Sequence, residues 1–269
     1  MKNKVIVIGA GAAGLLAAGA AAENGAAVTL IERNEKVARK VMITGKGRCN
    51  LTNACVQIND LIANVPVNGR FLYGAFSRFM PSDTMELFEQ LGVPLKVERG
   101  NRVFPVSDKA VDIVDALNKY VRTNGVKRVT ARAIQLTVSD GAIRGVKTED
   151  GAEYPCDAVI VATGGLSYPV TGSTGDGYTL AKSAGHTVTP LKPSLVPLEV
   201  HEGWCSSLSG LALRNVEIRV FDTEKYREIY KDFGELLFTH FGVSGPTVLS
   251  ASSHMREMKS GKYEIHIDL

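Results

Sequence analysis

The sequence predicts an α/β fold, a parallel sheet flanked by helices and carrying a small β-meander, followed by a strand-rich section. Three observations predict it. An apolar strand near the N-terminus runs into a glycine-rich turn and an alanine-rich helix; "SDG" and "EDG" turns punctuate alternating residues after Arg132; and an apolar run, Ala158 to Val161, leads into "ATGG". With 269 residues and 45% hydrophobic content, the chain can form one large domain or a main domain with an insertion.

Val5 to Ile8 is a continuous apolar run, as expected of a strand buried on both faces of a parallel sheet. Gly9, Gly11 and Gly14 follow in G-x-G-x-x-G spacing. The first permits the tight turn, the second lets the backbone approach a pyrophosphate, and the third lets helix and strand pack closely. The segment from Ala12 to Asn24 forms the helix, with the free N–H groups of Ala12 and Ala13 facing the anion, and Gly25 ends it. A second strand, Ala27 to Ile31, closes on Glu32, 23 positions after Gly9, where a carboxylate can accept both hydroxyls of an adenosine ribose. Strand, glycines, helix, strand and acid in that order predict a Rossmann-like dinucleotide site. Glu32 would repel a 2′-phosphate, so the site suits FAD or NAD rather than NADP, and the adjacent Arg33 counts in the opposite direction.

"YTLAK" places Tyr178 and Lys182 at the Tyr-x-x-x-Lys spacing of short-chain dehydrogenases. Those enzymes usually carry G-x-x-x-G-x-G, and the serine they need upstream is only loosely met by Ser167, so the pair reads as neighbouring turns of a helix. From Arg132 the chain forms a β-meander that feeds a buried strand, Ala158 to Val161. Two-dinucleotide flavoproteins resemble this arrangement, with a strand ending Ala-Thr-Gly beside the flavin. Gly164 and Gly165 permit a backbone turn close to the cofactor, and Ala162 and Thr163 precede them, with the Thr163 hydroxyl available for hydrogen bonding. FAD is therefore the expected cofactor.

Three further stretches, "ARKVMITGKGRCNLTN" from Ala38, "ATGGLSYPVTGSTGDGYTLAKSAGH" from Ala162 and "GELLFTHFGVSGPTVL" from Gly234, resemble the BaiN/RdsA family of NAD(P)/FAD-dependent oxidoreductases, also described as aminoacetone-oxidase-like. The resemblance runs from the first strand to the end of the chain. It implies an FAD-binding α/β domain interrupted by a mostly β insert domain, with NAD(P)H as a candidate electron donor. The chemistry it implies is reduction of an enone-like substrate or oxidation of a small amine. The loop from Arg39 to Thr52 carries Arg39, Lys40, Lys46 and Arg48 around glycines and can fold back over a pyrophosphate. The resemblance points the same way, so Lys40, Gly47, Arg48, Asn50 and Thr52 join Arg33 as expected cofactor contacts. No catalytic residue is assigned. His240 in "FTHFG" is the histidine best placed to face a flavin, with a structural role an equal reading.

Thirty-one Lys and Arg against 28 Asp and Glu give a net charge of +3, too mild to imply a nucleic-acid or membrane-surface partner. A small-molecule substrate is expected. A flavin-dependent RNA-modifying protein, or a non-catalytic flavin-binding module, are the rival readings. Four cysteines without a C-x-x-C pair fit a reducing, cytoplasmic setting, Cys49 reads as an ordinary buried thiol, and the five histidines lack metal-ligand spacing. No run approaches a membrane span or a secretory signal.

Between the motifs, residues 71–92 read as a helix capped by Asp83, "VERGNRVFP" as a hairpin around Gly100, and the segment after Ser107 as an amphipathic helix capped by Ser107 and closed by Gly125. Pro190, Pro193 and Pro197 end the α/β pattern. The expected division is therefore an FAD-binding domain over 1–196 and the start of a β-rich insert over 197–269. Because the family's chain returns from the insert through a glycine-rich segment, the stop after "KYEIHIDL" reads as truncation within the insert.

Overall fold

A computed structural model describes residues 2–269. Its contacts divide into two compact units, residues 2–65 with Gly69–Val188, and Pro66–Asn68 with Thr189–Leu269.

The first unit opens as its periodicity requires, with β1 (Lys4–Ile8), α1 (Ala12–Glu23) and β2 (Ala27–Glu32). Gly25, in the left-handed region at φ +86°, turns the chain out of α1. After β2 come α2 (Arg39–Ile43), β3 (Thr52–Asn53), α3 (Ile58–Ala63), α4 (Tyr73–Phe76) and α5 (Pro81–Gln90). The continuous helix expected over 71–92 is thus broken. Pro81 forces Met80 into an extended conformation, φ −85° and ψ 168°, and starts α5 afresh. Asp83 is not its N-cap; it lies inside the first turn and accepts the Met80 N–H at 2.6 Å. Phe88, 1% exposed, is the residue of α5 that reaches the core.

The hairpin around Gly100 joins β4 (Leu95–Glu98) to β5 (Arg102–Pro105), and α6 (Ala110–Thr123) follows. Ser107 lies two residues before the observed N-cap, Lys109, whose N–H donates to Ser107 Oγ at 3.2 Å. Then come β6 (Lys127–Thr130), the meander β7 (Ala133–Ser139), β8 (Ala142–Thr148) and β9 (Glu153–Pro155), and finally β10 (Ala158–Val161) and α7 (Asp176–Ser183). Tyr178 and Lys182 lie on α7, as neighbouring turns.

The central sheet has the order β10-β1-β2-β6, with every pair parallel. One face packs Val7, Leu30, Leu15, Phe88, Ile113 and Leu117 into a core with α1, α5 and α6. On the other face, Ile6, Ile8 and Ile31 pack against Ala133 and Val146 of the meander and Leu180 of α7. Both faces of β1 are covered, which explains its unbroken apolar run. Against expectation, β10 is not buried, with Ile160 37% and Val161 39% exposed, because it is the edge strand of the described sheet and pairs with β1 alone.

The second unit comprises β11 (Leu198–Glu199), α8 (Trp204–Ser207), β12 (Ala212–Asp222), β13 (Arg227–Thr239), β14 (Gly242–Ser244), α9 (Pro246–Ser252) and β15 (Tyr263–Asp268). Its sheet, β11-β14-β13-β12-β15, is antiparallel throughout. Alternation along β12 sends Val216, Ile218 and Val220 inward, where Leu236, Phe238, Val248 and Ala251 complete the core. The proline-rich stretch from 189 belongs to this unit, so the boundary falls at 188/189, ahead of the expected 196/197. Among the described residues, no helix is long and apolar enough to cross a membrane.

Candidate cofactor cavity

A cavity of about 360 Å³ opens at the carboxyl ends of β1, β2 and β10, within the first unit. This is where open parallel sheets place their ligands, because the chain diverges to either side as it leaves adjacent strands. The three glycines of the first turn occupy different surroundings. A Cβ on Gly9 would lie 2.6 Å from the Ala162 carbonyl oxygen, and one on Gly14 would lie 1.8 Å from the Gly9 carbonyl oxygen, so both positions are closed by backbone. A Cβ on Gly11 would meet nothing within 4 Å, although Gly11 lines the cavity and its φ of −79° is open to any residue. Neither sterics nor backbone conformation within the protein demands glycine there. The vacant space lies against the start of α1, whose first-turn N–H groups have no helical acceptor, no side-chain cap and no acidic neighbour in that turn. Donors and dipole together make a place for an anion, and a pyrophosphate fits both the space and the sign.

Glu32, 8% exposed, stands at the end of β2. Its Oε2 accepts the Ala10 N–H at 2.7 Å, and its Oε1 accepts the Asn34 N–H at 2.8 Å and the Asn34 Nδ2 amide at 2.7 Å. Three of roughly four acceptor positions are thereby filled by the protein. The carboxylate organises the turn after β1 and the loop after β2 in addition to facing the cavity.

Five cationic side chains line the cavity, Arg33, Lys36, Arg39, Lys40 and Arg132, against two carboxylates, Glu32 and Asp176. Lys40 Nζ donates to the Ser167 carbonyl and to Ser173 Oγ, each at 2.7 Å, and so ties α2 to the loop after β10. Arg39 donates to Asn34 Oδ1 at 2.8 Å. Asp176 takes Arg132 on both oxygens, at 3.0 and 3.1 Å, and Arg33 at 3.3 Å. The Arg132 hydrogen bonds, opposed by partial desolvation, hold the Asp176 carboxyl below its ordinary range.

Of the residues expected from the sequence, the structure brings Gly9, Gly11, Ala12, Ala13, Glu32, Arg33, Lys40, Ala162, Thr163 and Gly164 to the cavity. Gly14 is instead the helix–strand packing position. Gly165 lies beside the Tyr178 hydroxyl, and Gly47, Arg48, Asn50 and Thr52 are outside the lining. Arg48 is committed elsewhere: it pairs with Glu98 and with Asp108, and its guanidinium lies 4.1 Å from the centre of the Phe104 ring. Thr52 pairs with Val103 in the small sheet of β3, β4 and β5. The basic loop therefore divides after Thr44, its first half facing the cavity and its second half packing on the β4–β5 hairpin.

Sequence reasoning missed Asn34, Lys36 and Arg132 as lining residues. The glycine-rich "TGSTGDG" before α7 brings Thr171, Gly172, Ser173 and Asp176 to the same cavity. Cys49 is buried, and burial pushes its thiol up, away from reactivity. His240 lies in the β13–β14 turn of the second unit, edge-on to Phe241 at 5.0 Å.

Comparison with known proteins agrees with this architecture. The chain is 34% identical over 267 residues to a 3-dehydro-bile acid delta(4,6)-reductase of Clostridium scindens, covering 97% of this chain and 62% of that protein. It is 32% identical over 269 residues to a ribosomal RNA dihydrouridine synthase of Haemophilus influenzae, covering 98% of this chain and 63% of that one. The chain thus spans about three fifths of the length of these curated relatives. A solved chain of the Mycobacterium smegmatis Sdh1 complex in the apo form shares the fold, with TM-score 0.52 and 22% identity over 68% of this chain and 39% of that one. The model of the HI0933-like protein Rossmann domain matches residues 3–247, and the chain belongs to that family.

Proposed function

We propose that this chain binds FAD and serves an oxidoreductase that reduces a carbon–carbon double bond conjugated to a carbonyl, with NAD(P)H as electron donor. The observation that carries the reading is Gly11, open to the cavity and unconstrained by the protein, at the uncapped start of α1. The relatives supply the substrate class. A delta(4,6)-unsaturated 3-dehydro-bile acid and a uridine both present such a bond, and the activities these relatives are named for both saturate one.

Bound FAD would supply the two-electron chemistry, a hydride equivalent from the donor reaching one carbon of the substrate bond while the other carbon takes a proton from solvent. The chain's own residues bind and orient. The first turn of α1 holds the pyrophosphate, and Glu32 holds the turn after β1 in place through Ala10 while offering its remaining acceptor position to the ribose. Lys40 fixes the loop after Gly164 and Gly165 through Ser167 and Ser173, and so fixes the backbone expected beside the flavin. Oxidation of a small amine is the alternative chemistry at the same cofactor.

A visible spectrum of the purified protein, followed by titration with FAD and anaerobic addition of NADH and NADPH, tests the reading. Bleaching of bound flavin by one nucleotide supports it; bound flavin that neither nucleotide nor oxygen turns over indicates a non-catalytic module. A ribosomal RNA substrate is the second reading, favoured by the 32% identical dihydrouridine synthase. RNA binding that falls steeply with salt would support it over a small-molecule substrate.

A further inference from the structure

Resting on the FAD reading above, we infer that Asp176 makes the cavity selective against a phosphate on the adenosine ribose, by latching Arg33 away from the ribose end. Arg33 directly follows the ribose-facing Glu32. A free guanidinium at that end of the second strand is what accommodates a 2′-phosphate in NADP-binding relatives of this fold. Here the guanidinium is not free. Arg33 Nη1 donates to Thr174 Oγ1 at 2.8 Å and to Asp176 Oδ2 at 3.3 Å, and Thr174 Oγ1 donates in turn to Asp176 Oδ1 at 3.1 Å. Asp176 is itself fixed at the first position of α7 by Arg132, which bonds both of its oxygens.

The latch joins three parts of the chain, the end of β2, the start of the meander and the start of α7, all of which line the same cavity. Its electrostatic consequence is specific. The carboxylate of Glu32 remains at the ribose end, and the adjacent arginine is spent on Asp176. A ribose bearing free hydroxyls can use the remaining acceptor position of Glu32, whereas an added phosphate meets that negative charge. Selectivity thus rests on a carboxylate at position 176 that need not touch the ligand.

The test compares ADP-ribose with 2′-phospho-ADP-ribose by calorimetric titration, which reads binding without flavin turnover. The wild-type protein should bind ADP-ribose and discriminate against the 2′-phosphorylated form. Asp176→Asn keeps the shape of the latch but removes its charge. It should move the affinity ratio toward the phosphorylated ligand by at least about tenfold, the worth of a charge-assisted hydrogen bond. Adding Arg33→Ala to that variant should abolish the gain. If Asp176→Asn does not melt cooperatively, Thr174→Val removes the shorter bond to Arg33 and should shift the ratio in the same direction. An unchanged ratio in the latch variants, with ADP-ribose still bound by the wild type, overturns the inference and leaves the cofactor reading standing. A gain that survives Arg33→Ala also overturns it. Failure of the wild type to bind ADP-ribose removes both.

Discussion

The Ala10 N–H donates to Glu32 Oε2 at 2.7 Å across 22 positions of sequence, so the acid at the end of the second strand helps build the turn after the first. Glu32→Ala should therefore do two things. It leaves the Ala10 and Asn34 N–H groups without their acceptor, which should cost about 1–3 kcal/mol of stability in denaturant titration. It should also weaken FAD about ten- to a hundred-fold through loss of a charged ribose acceptor. A variant with weakened FAD and wild-type stability would show that the link to Ala10 contributes nothing to the fold.

Close packing of α1 gives a second prediction. A Cβ on Gly19 would lie 2.1 Å from Tyr120 Cε1, and Tyr120, on α6, also donates its hydroxyl to Glu23 at 2.6 Å. Gly19→Ala should cost about 1–3 kcal/mol by overpacking, despite alanine's better helix propensity. Gly14→Ala, whose Cβ would meet backbone rather than a ring, should be the more damaging of the two. Equal or increased stability of Gly19→Ala, measured by chemical denaturation, would contradict the α1–α6 contact.

Acid sensitivity follows from Asp176. Its carboxyl is held below the ordinary range chiefly by Arg132, so its folded value lies below its unfolded one. Such a group stabilises the fold above its unfolded pKa, about 4, and that contribution is lost as pH falls through the depressed folded value. Asp176→Asn should therefore be less stable than wild type near neutrality, with the difference shrinking below about pH 4. Melting both proteins across pH 2.5 to 7 on the order of half-unit steps checks this, and a gap that stays constant with pH would contradict it.

The βαβ unit was legible because its signals are local. Val5 to Ile8, Gly9, Gly11, Gly14 and Glu32 lie within one βαβ unit, and each residue type answers to a steric or electrostatic need of its own position. Other features depend on distant partners. Arg48 looks available until the fold brings up Glu98 and Asp108, which lie 50 and 60 positions away. The Arg33–Asp176 contact spans 143 positions, so no local pattern distinguishes a free arginine from a latched one. The exposure of β10 depends on strand order, which periodicity does not encode: an apolar run fits an edge and a centre equally. The broken helix at Pro81 is different, because the restriction that proline places on Met80 is local and present in the sequence.

Gly11 gives the most direct measurement of the central claim, that the open space at the start of α1 holds the FAD pyrophosphate. A Cβ there meets nothing within 4 Å in the protein, so Gly11→Val should melt close to wild type, less the small cost of valine at a helix start. In parallel FAD titrations, the wild type should bind, and Gly11→Val should show no saturable binding because its methyl groups occupy the anion's place. Wild-type FAD affinity in a folded Gly11→Val protein would contradict the claim.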